Sequence, residues 1–103
     1  MSEHTTRHFI DGAYIEGSSG KTFENRRPID NALISRVSEA NQADVHAAVQ
    51  AANAALTGPW RNMALTERTE VLYAVAAGIE QRFDQFLEAE VADTGKPVSL
   101  ASH

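Results

Sequence analysis

A chain of 103 residues, 43% apolar and 22% charged, is ordinary for a soluble globular protein and holds one domain at most. Its net charge of −5 and pI near 5.2 leave no basic footprint for a phosphate backbone, which argues against nucleic-acid binding. Cysteine is absent, so disulfides, thiolate metal sites and a cysteine nucleophile are excluded from this stretch. No apolar run approaches the roughly 20 residues of a membrane span. The polar opening from Met1 to His8 has no apolar h-region, and the expected location is therefore cytoplasmic.

Residues 1–40 read as strands and loops. Phe9 to Ile15 splits at Asp11-Gly12 into two short strands, because Asp-Gly suits a type I′ turn with positive φ at both central positions. Gly17-Ser18-Ser19-Gly20 is a loop. Thr22-Phe23-Glu24 starts an extended segment that ends before Pro28, and the residue before a proline is itself pushed to extended geometry. Asp30-Asn31 signals a turn into a strand over Leu33–Val37.

Residues 41–103 read as helices. Asn41 caps the first, with Asp44 placed where a negative charge suits the helix dipole. Val45, Ala48, Val49, Ala52 and Leu56 follow at helical spacing until Gly58-Pro59 stops the run. Thr66 is the expected cap of a second helix carrying Val71, Leu72, Val75 and Ile79. A third begins near Phe83-Asp84 and carries Leu87, Val91 and Thr94, with Gly95 supplying the left-handed position past its end and Pro97 blocking continuation. Val98 to His103 opens a further helix. Three single-striped helices need a partner layer that these few strands do not supply, so the chain reads as a piece of something larger. The competing reading is a small self-contained α+β domain with a short tail.

The chemistry-bearing residues are sparse. No glycine-rich phosphate loop runs from a strand into a helix. His4, His8, His46 and His103 are scattered without ligand spacing and read as surface histidines. The serines lack a nucleophile-elbow context. Trp60 beside Pro59 reads as an anchor between helices, and Arg26-Arg27 as exposed loop residues. Glu88, Glu90 and Asp93 sit near a helix end whose carbonyls already carry negative charge. Either Lys96 or solvent offsets them, or Asp93 and the carbonyls help hold a hard cation.

Taken together, several short motifs resemble the aldehyde dehydrogenase superfamily. Phe9-Ile10-Asp11-Gly12 is similar to its F-I-x-G opening, and Phe23, Pro28 and Ile34–Val37 follow at the usual distances. Ala40 with Asp44–Ala52 is similar to A-x-x-x-D-V-D-x-A-V-x-A-A, Pro59-Trp60 then Glu67-Arg68 to the P-W…R segment, and Glu90–Pro97 to E-x-x-D-x-G-K-P. Each is weak alone, but the six occur in order across the whole chain. The ending from Asp93 to His103 looks like the 2-hydroxymuconic semialdehyde type of aromatic ring-cleavage pathways, with betaine-aldehyde and general aldehyde members as alternatives.

The resemblance implies an α/β parent with a Rossmann-type NAD-binding domain, a catalytic domain and an oligomerisation arm, assembled as a homo-oligomer (dimer or tetramer). Residues 1–103 would begin the NAD-binding domain. The parent would be an oxidoreductase that captures an aldehyde or semialdehyde as a cysteine thiohemiacetal. It would pass hydride to NAD or NADP and release the carboxylate with glutamate as base. Those catalytic and cofactor-binding groups fall downstream in the family, so no residue here is expected to be catalytic or to bind the cofactor. The resemblance also implies a monovalent cation (K+ or Na+) held by the main-chain carbonyl of Arg26 and by Asp93. The chain departs from the family pattern at Arg27, where asparagine usually precedes the proline. The alternative function is a stand-alone, non-catalytic interaction module derived from this family.

Overall fold

The computed structural model describes residues 4–103, so the first three residues of the polar opening lie outside it. Five strands come first and five helices follow. By contacts the chain divides into two compact units, and the division does not fall at residue 40. One unit comprises the described residues up to Asn25 together with Leu33–Asn62; the other comprises Arg26–Ala32 and Met63–His103.

In the first unit, β2 (His8–Ile10) and β3 (Ala13–Ile15) form an antiparallel hairpin with Phe9 opposite Tyr14. Asp11 and Gly12 take φ of 53° and 79°, the double positive turn that Asp-Gly predicts. A second sheet has the order β1–β5–β4, from β1 (Thr5–Thr6), β5 (Leu33–Ser38) and β4 (Thr22–Arg26). The connection from β4 to β5 is too short for a parallel crossover, so this pair is antiparallel. β1 runs parallel to β5, pairing Thr5 with Arg36 and Thr6 with Val37. Two threonines carry no strand signal of their own. They pair here because the Arg36 amide donates to the His4 carbonyl at 3.0 Å and Thr6 Oγ1 donates to the buried Ser35 Oγ at 3.0 Å.

α1 (Gln42–Ala55) packs on β2, with Ala48, Ala51, Ala52 and Ala55 lining the groove opposite Phe9, Ile10 and Asp11. The apolar stripe expected of this helix is therefore split. Its alanines face the hairpin, whereas Val45, Val49 and Leu56 stay exposed. Gly58-Pro59 does end α1, but the chain re-enters helix at once as α2 (Pro59–Asn62). Proline suits the first helical position, where its missing N–H would have had no partner.

In the second unit the tip between β4 and β5 is a tight turn. The Arg27 amide donates to the Ala32 carbonyl and the Asn31 amide to the Arg27 carbonyl, both at 2.8 Å, with Asn31 at φ 60°. α3 (Leu65–Gln81) begins one residue before its expected cap. Thr66 lies inside the helix and Ala64 occupies the cap position, where it offers no side-chain acceptor. Glu67 compensates in part by accepting the Ala64 N–H at 3.2 Å, half of a capping box. α3 contacts α4 (Phe83–Thr94), which in turn contacts α5 (Val98–Ala101). α4 ends as predicted, with Gly95 at φ 75° and its amide bonded to the Val91 carbonyl at 3.0 Å. The three expected helices are joined by two four-residue ones, α2 and α5.

Among the described residues no hydrophobic side chain is buried. The buried side chains are polar: Ser35, Ser38 and Asp44.

Candidate functional site

The densest polar arrangement in the first unit surrounds Asp44, 7% exposed at the start of α1. Its amide donates to Asn41 Oδ1 at 2.9 Å and its Oδ2 accepts the Asn41 amide at 3.1 Å, a reciprocal cap. The Ser18 amide donates to both carboxylate oxygens, at 3.1 and 3.2 Å, and Asn41 Nδ2 donates to Ser18 Oγ at 2.7 Å. His8 completes the group with Nε2 at 3.9 Å from Asp44 Oδ2. The Asn41 N–H holds the Asp44 carboxyl below the usual aspartate range; burial opposes this, and the Ser18 N–H and His8 reinforce it.

This cluster corrects one sequence expectation and extends another. His8 is not a surface histidine: its side chain is only 20% exposed, and Nε2 is buried without a hydrogen-bond partner. Asp44 does more than complement the dipole, since it ties the Gly17-Ser18 loop to α1. The Asn-x-x-Asp spacing carried the signal for the cap. Nothing local announced Ser18, which is 26 positions away. Gly17 permits the approach: a Cβ there would lie 2.5 Å from the Glu39 carbonyl oxygen and 3.4 Å from Asp44 Oδ2. Side chains larger than hydrogen do not fit. The groups here are a carboxylate saturated by amides and an imidazole beside it, which suits holding a loop rather than reacting with a substrate.

The expected cation residues, Arg26 and Asp93, are both exposed and both lie in the second unit. Their neighbours touch: a Cβ on Gly95 would sit 3.5 Å from Pro28 Cβ, which keeps the strand exit beside the end of α4. The Arg26 guanidinium donates to the Asn31 carbonyl at 3.0 Å. Arg27, at the position of the family departure, pairs with Asp30 through Nε–Oδ1 at 3.1 Å and a second bond from Nη2 to Oδ2. That guanidinium holds the Asp30 carboxyl low, helped by the Ala32 N–H. Arg27 is thus a turn-locking residue, not merely an exposed one. Of the α4 acids, Glu90 is paired with Lys96 at 3.0 Å, the offset foreseen for it. Among the described residues no group of three or more His, Cys, Asp or Glu side chains is placed to hold a metal ion.

Comparison with known proteins gives this geometry its context. Residues 14–103 match the aldehyde dehydrogenase family. The chain is 59% identical over 97 residues to 2-hydroxymuconic semialdehyde dehydrogenase of Pseudomonas sp. (strain CF600), covering 94% of this chain and 20% of the relative. It is 43% identical over 96 residues to a Pseudomonas 2-aminomuconic 6-semialdehyde dehydrogenase, covering 93% of this chain and 19% of that protein. An aldehyde dehydrogenase from Bacillus cereus, solved as an NAD+ complex, superposes with a TM-score of 0.90 at 35% identity, over 95% of this chain and 20% of its own. The chain spans about a fifth of the length of the curated relatives it matches. With a matched family region that runs nearly end to end and a shared fold, the chain belongs to the aldehyde dehydrogenase family.

Proposed function

We propose that this chain is the N-terminal segment of an NAD(P)-dependent aldehyde dehydrogenase that oxidises an aldehyde or semialdehyde to the carboxylate. The best-supported substrate is 2-hydroxymuconic semialdehyde. The observation that carries the reading is the 59% identity to the Pseudomonas sp. (strain CF600) enzyme of that name over nearly the whole chain. The segment forms the start of the NAD-binding domain and is inactive alone. It contains no cysteine to add to the aldehyde carbonyl, so it has no covalent route to the acid. NAD, when bound in the parent, accepts the hydride; no residue of this chain is assigned to it. The parent is a cytoplasmic homo-oligomer in this reading, and no helix among the described residues is long and apolar enough to cross a membrane.

A monovalent cation, K+ or Na+, belongs to the same proposal. The Arg26 carbonyl and the Asp93 carboxylate would hold it, since oxygen donors suit a hard cation and the Pro28–Gly95 contact keeps the two segments side by side. The ion would fix the end of α4 and take no part in the chemistry.

The test is a chimera in which this chain replaces the matching 97 residues of the Pseudomonas sp. (strain CF600) enzyme. It should oxidise 2-hydroxymuconic semialdehyde with formation of NADH, while the 103-residue chain alone should not. An inactive chimera, or turnover by the isolated chain, would overturn the reading. Asp93→Ala in the chimera should abolish any dependence of stability on K+ or Na+.

A further inference from the structure

The apolar residues left uncovered are ordered rather than scattered. On α1 the small side chains are spent on the hairpin, while Val45, Val49 and Leu56 recur on the adjoining face at 56%, 53% and 67% exposure. On α3, Leu72, Val75 and Ile79 recur in the same way at 63%, 53% and 46%. A chain that buries alanines and exposes valines, leucines and isoleucines at helical spacing has its larger apolar area reserved for another surface. The page also says what that surface is. The same fold occurs at a TM-score of 0.90 in a solved relative of which it makes up only 20%.

We infer that the Val45–Val49–Leu56 face of α1 and the Leu72–Val75–Ile79 face of α3 each dock onto the other four-fifths of an aldehyde dehydrogenase polypeptide, and that this docking needs no peptide bond between the pieces. The 103-residue chain therefore associates in trans with such a remainder supplied as a separate polypeptide. The inference rests on the functional reading above but is measured by binding, so the two stand or fall separately. Local structure makes association in trans physically reasonable. α1 is capped by its own Asn41 and Asp44, and α4 is closed by Gly95, so these helix ends owe nothing to a covalent continuation. What is missing is apolar cover, and burial supplies that without a linkage.

The experiment co-expresses this chain with a tagged Pseudomonas sp. (strain CF600) enzyme lacking its matching 97 residues. The expected result is co-purification of the two pieces, with more soluble remainder than when it is expressed alone. Val49→Asp together with Ile79→Asp should weaken recovery of the complex by about tenfold or more, because a carboxylate at a dry contact is costly. Both residues are more than a third exposed in the chain, so its own packing is spared. Tagged full-length enzyme should capture none of the chain, its own segment being in place. If the pieces fail to co-purify, or the remainder stays insoluble beside the chain, the inference is overturned. An active chimera with no association in trans removes this inference and leaves the functional reading standing. Association with an inactive chimera does the reverse.

Discussion

At the start of α1, Asn41 and Asp44 exchange hydrogen bonds and Asp44 also collects the Ser18 amide, so loop and helix are held by buried, charge-assisted contacts. At the start of α3, Ala64 offers no acceptor and Glu67 alone returns a bond to the main chain. Both helices form, yet they are anchored differently. α1 begins at a polar junction that reaches a loop distant in sequence. α3 relies on length, on helix formers and on its contact with α4. A helix start without a cap is tolerable where packing defines the helix, and costly where the start itself positions a loop.

The largest effect expected from breaking this contrast is at Gly17. Gly17→Ala in the chimera forces the Glu39 carbonyl away and should cost about 3 kcal/mol, read as loss of amide protection in the Gly17-Ser18 loop and the first turn of α1. Unchanged exchange there would mean that the junction does not depend on the close approach.

Next comes the carboxylate itself. Because the Asn41 N–H lowers the folded-state pKa of Asp44, its contribution is fully present above the unfolded value of about 4 and is lost as pH falls through the lower folded value. Protection at Ser18 and Asn41, corrected for intrinsic exchange, should therefore fall on acidification below about pH 4. Asp44→Asn should flatten that dependence and leave the start of α3 unaffected. Equal acid sensitivity in the variant would assign the effect to another group.

Gly95→Ala places a Cβ at φ 75° and should destabilise the end of α4 by about 1 kcal/mol. The contact with Pro28 lies within ordinary van der Waals range, so backbone strain accounts for most of the loss. Ala64→Ser should sharpen the comparison from the other side. It completes the box with Glu67 and should stabilise α3 by somewhat under 1 kcal/mol, visible as slower exchange in its first turn. Lys96→Ala removes a half-exposed ion pair with Glu90 and should change stability by only a few tenths of a kcal/mol. A large loss there would show that the acids of α4 strain its end.

Much of this structure could be read from short stretches. Asp11-Gly12 announced the β2–β3 turn, Asn41 the start of α1, Gly58-Pro59 its end and Gly95 the close of α4. Each signal is a dihedral preference or a hydrogen bond within a few residues, so context adds little to it. The strand-then-helix order and the family resemblance came from the same local record. Thr66 misled because a threonine before an apolar run looks like a cap, whereas Glu67 had already made Ala64 the boundary.

Tertiary structure decided what distance along the chain conceals. Thr5-Thr6 became a strand only because β5 offered an open edge, and His8 and Ser18 met Asp44 across 36 and 26 positions. The stripe on α1 read as one apolar face, yet the hairpin took its alanines and left Val45, Val49 and Leu56 outside. Periodicity records that a side chain is apolar and which way it points. It does not record which surface arrives to cover it, because that depends on contacts between elements and not on the dihedral preferences of any one of them.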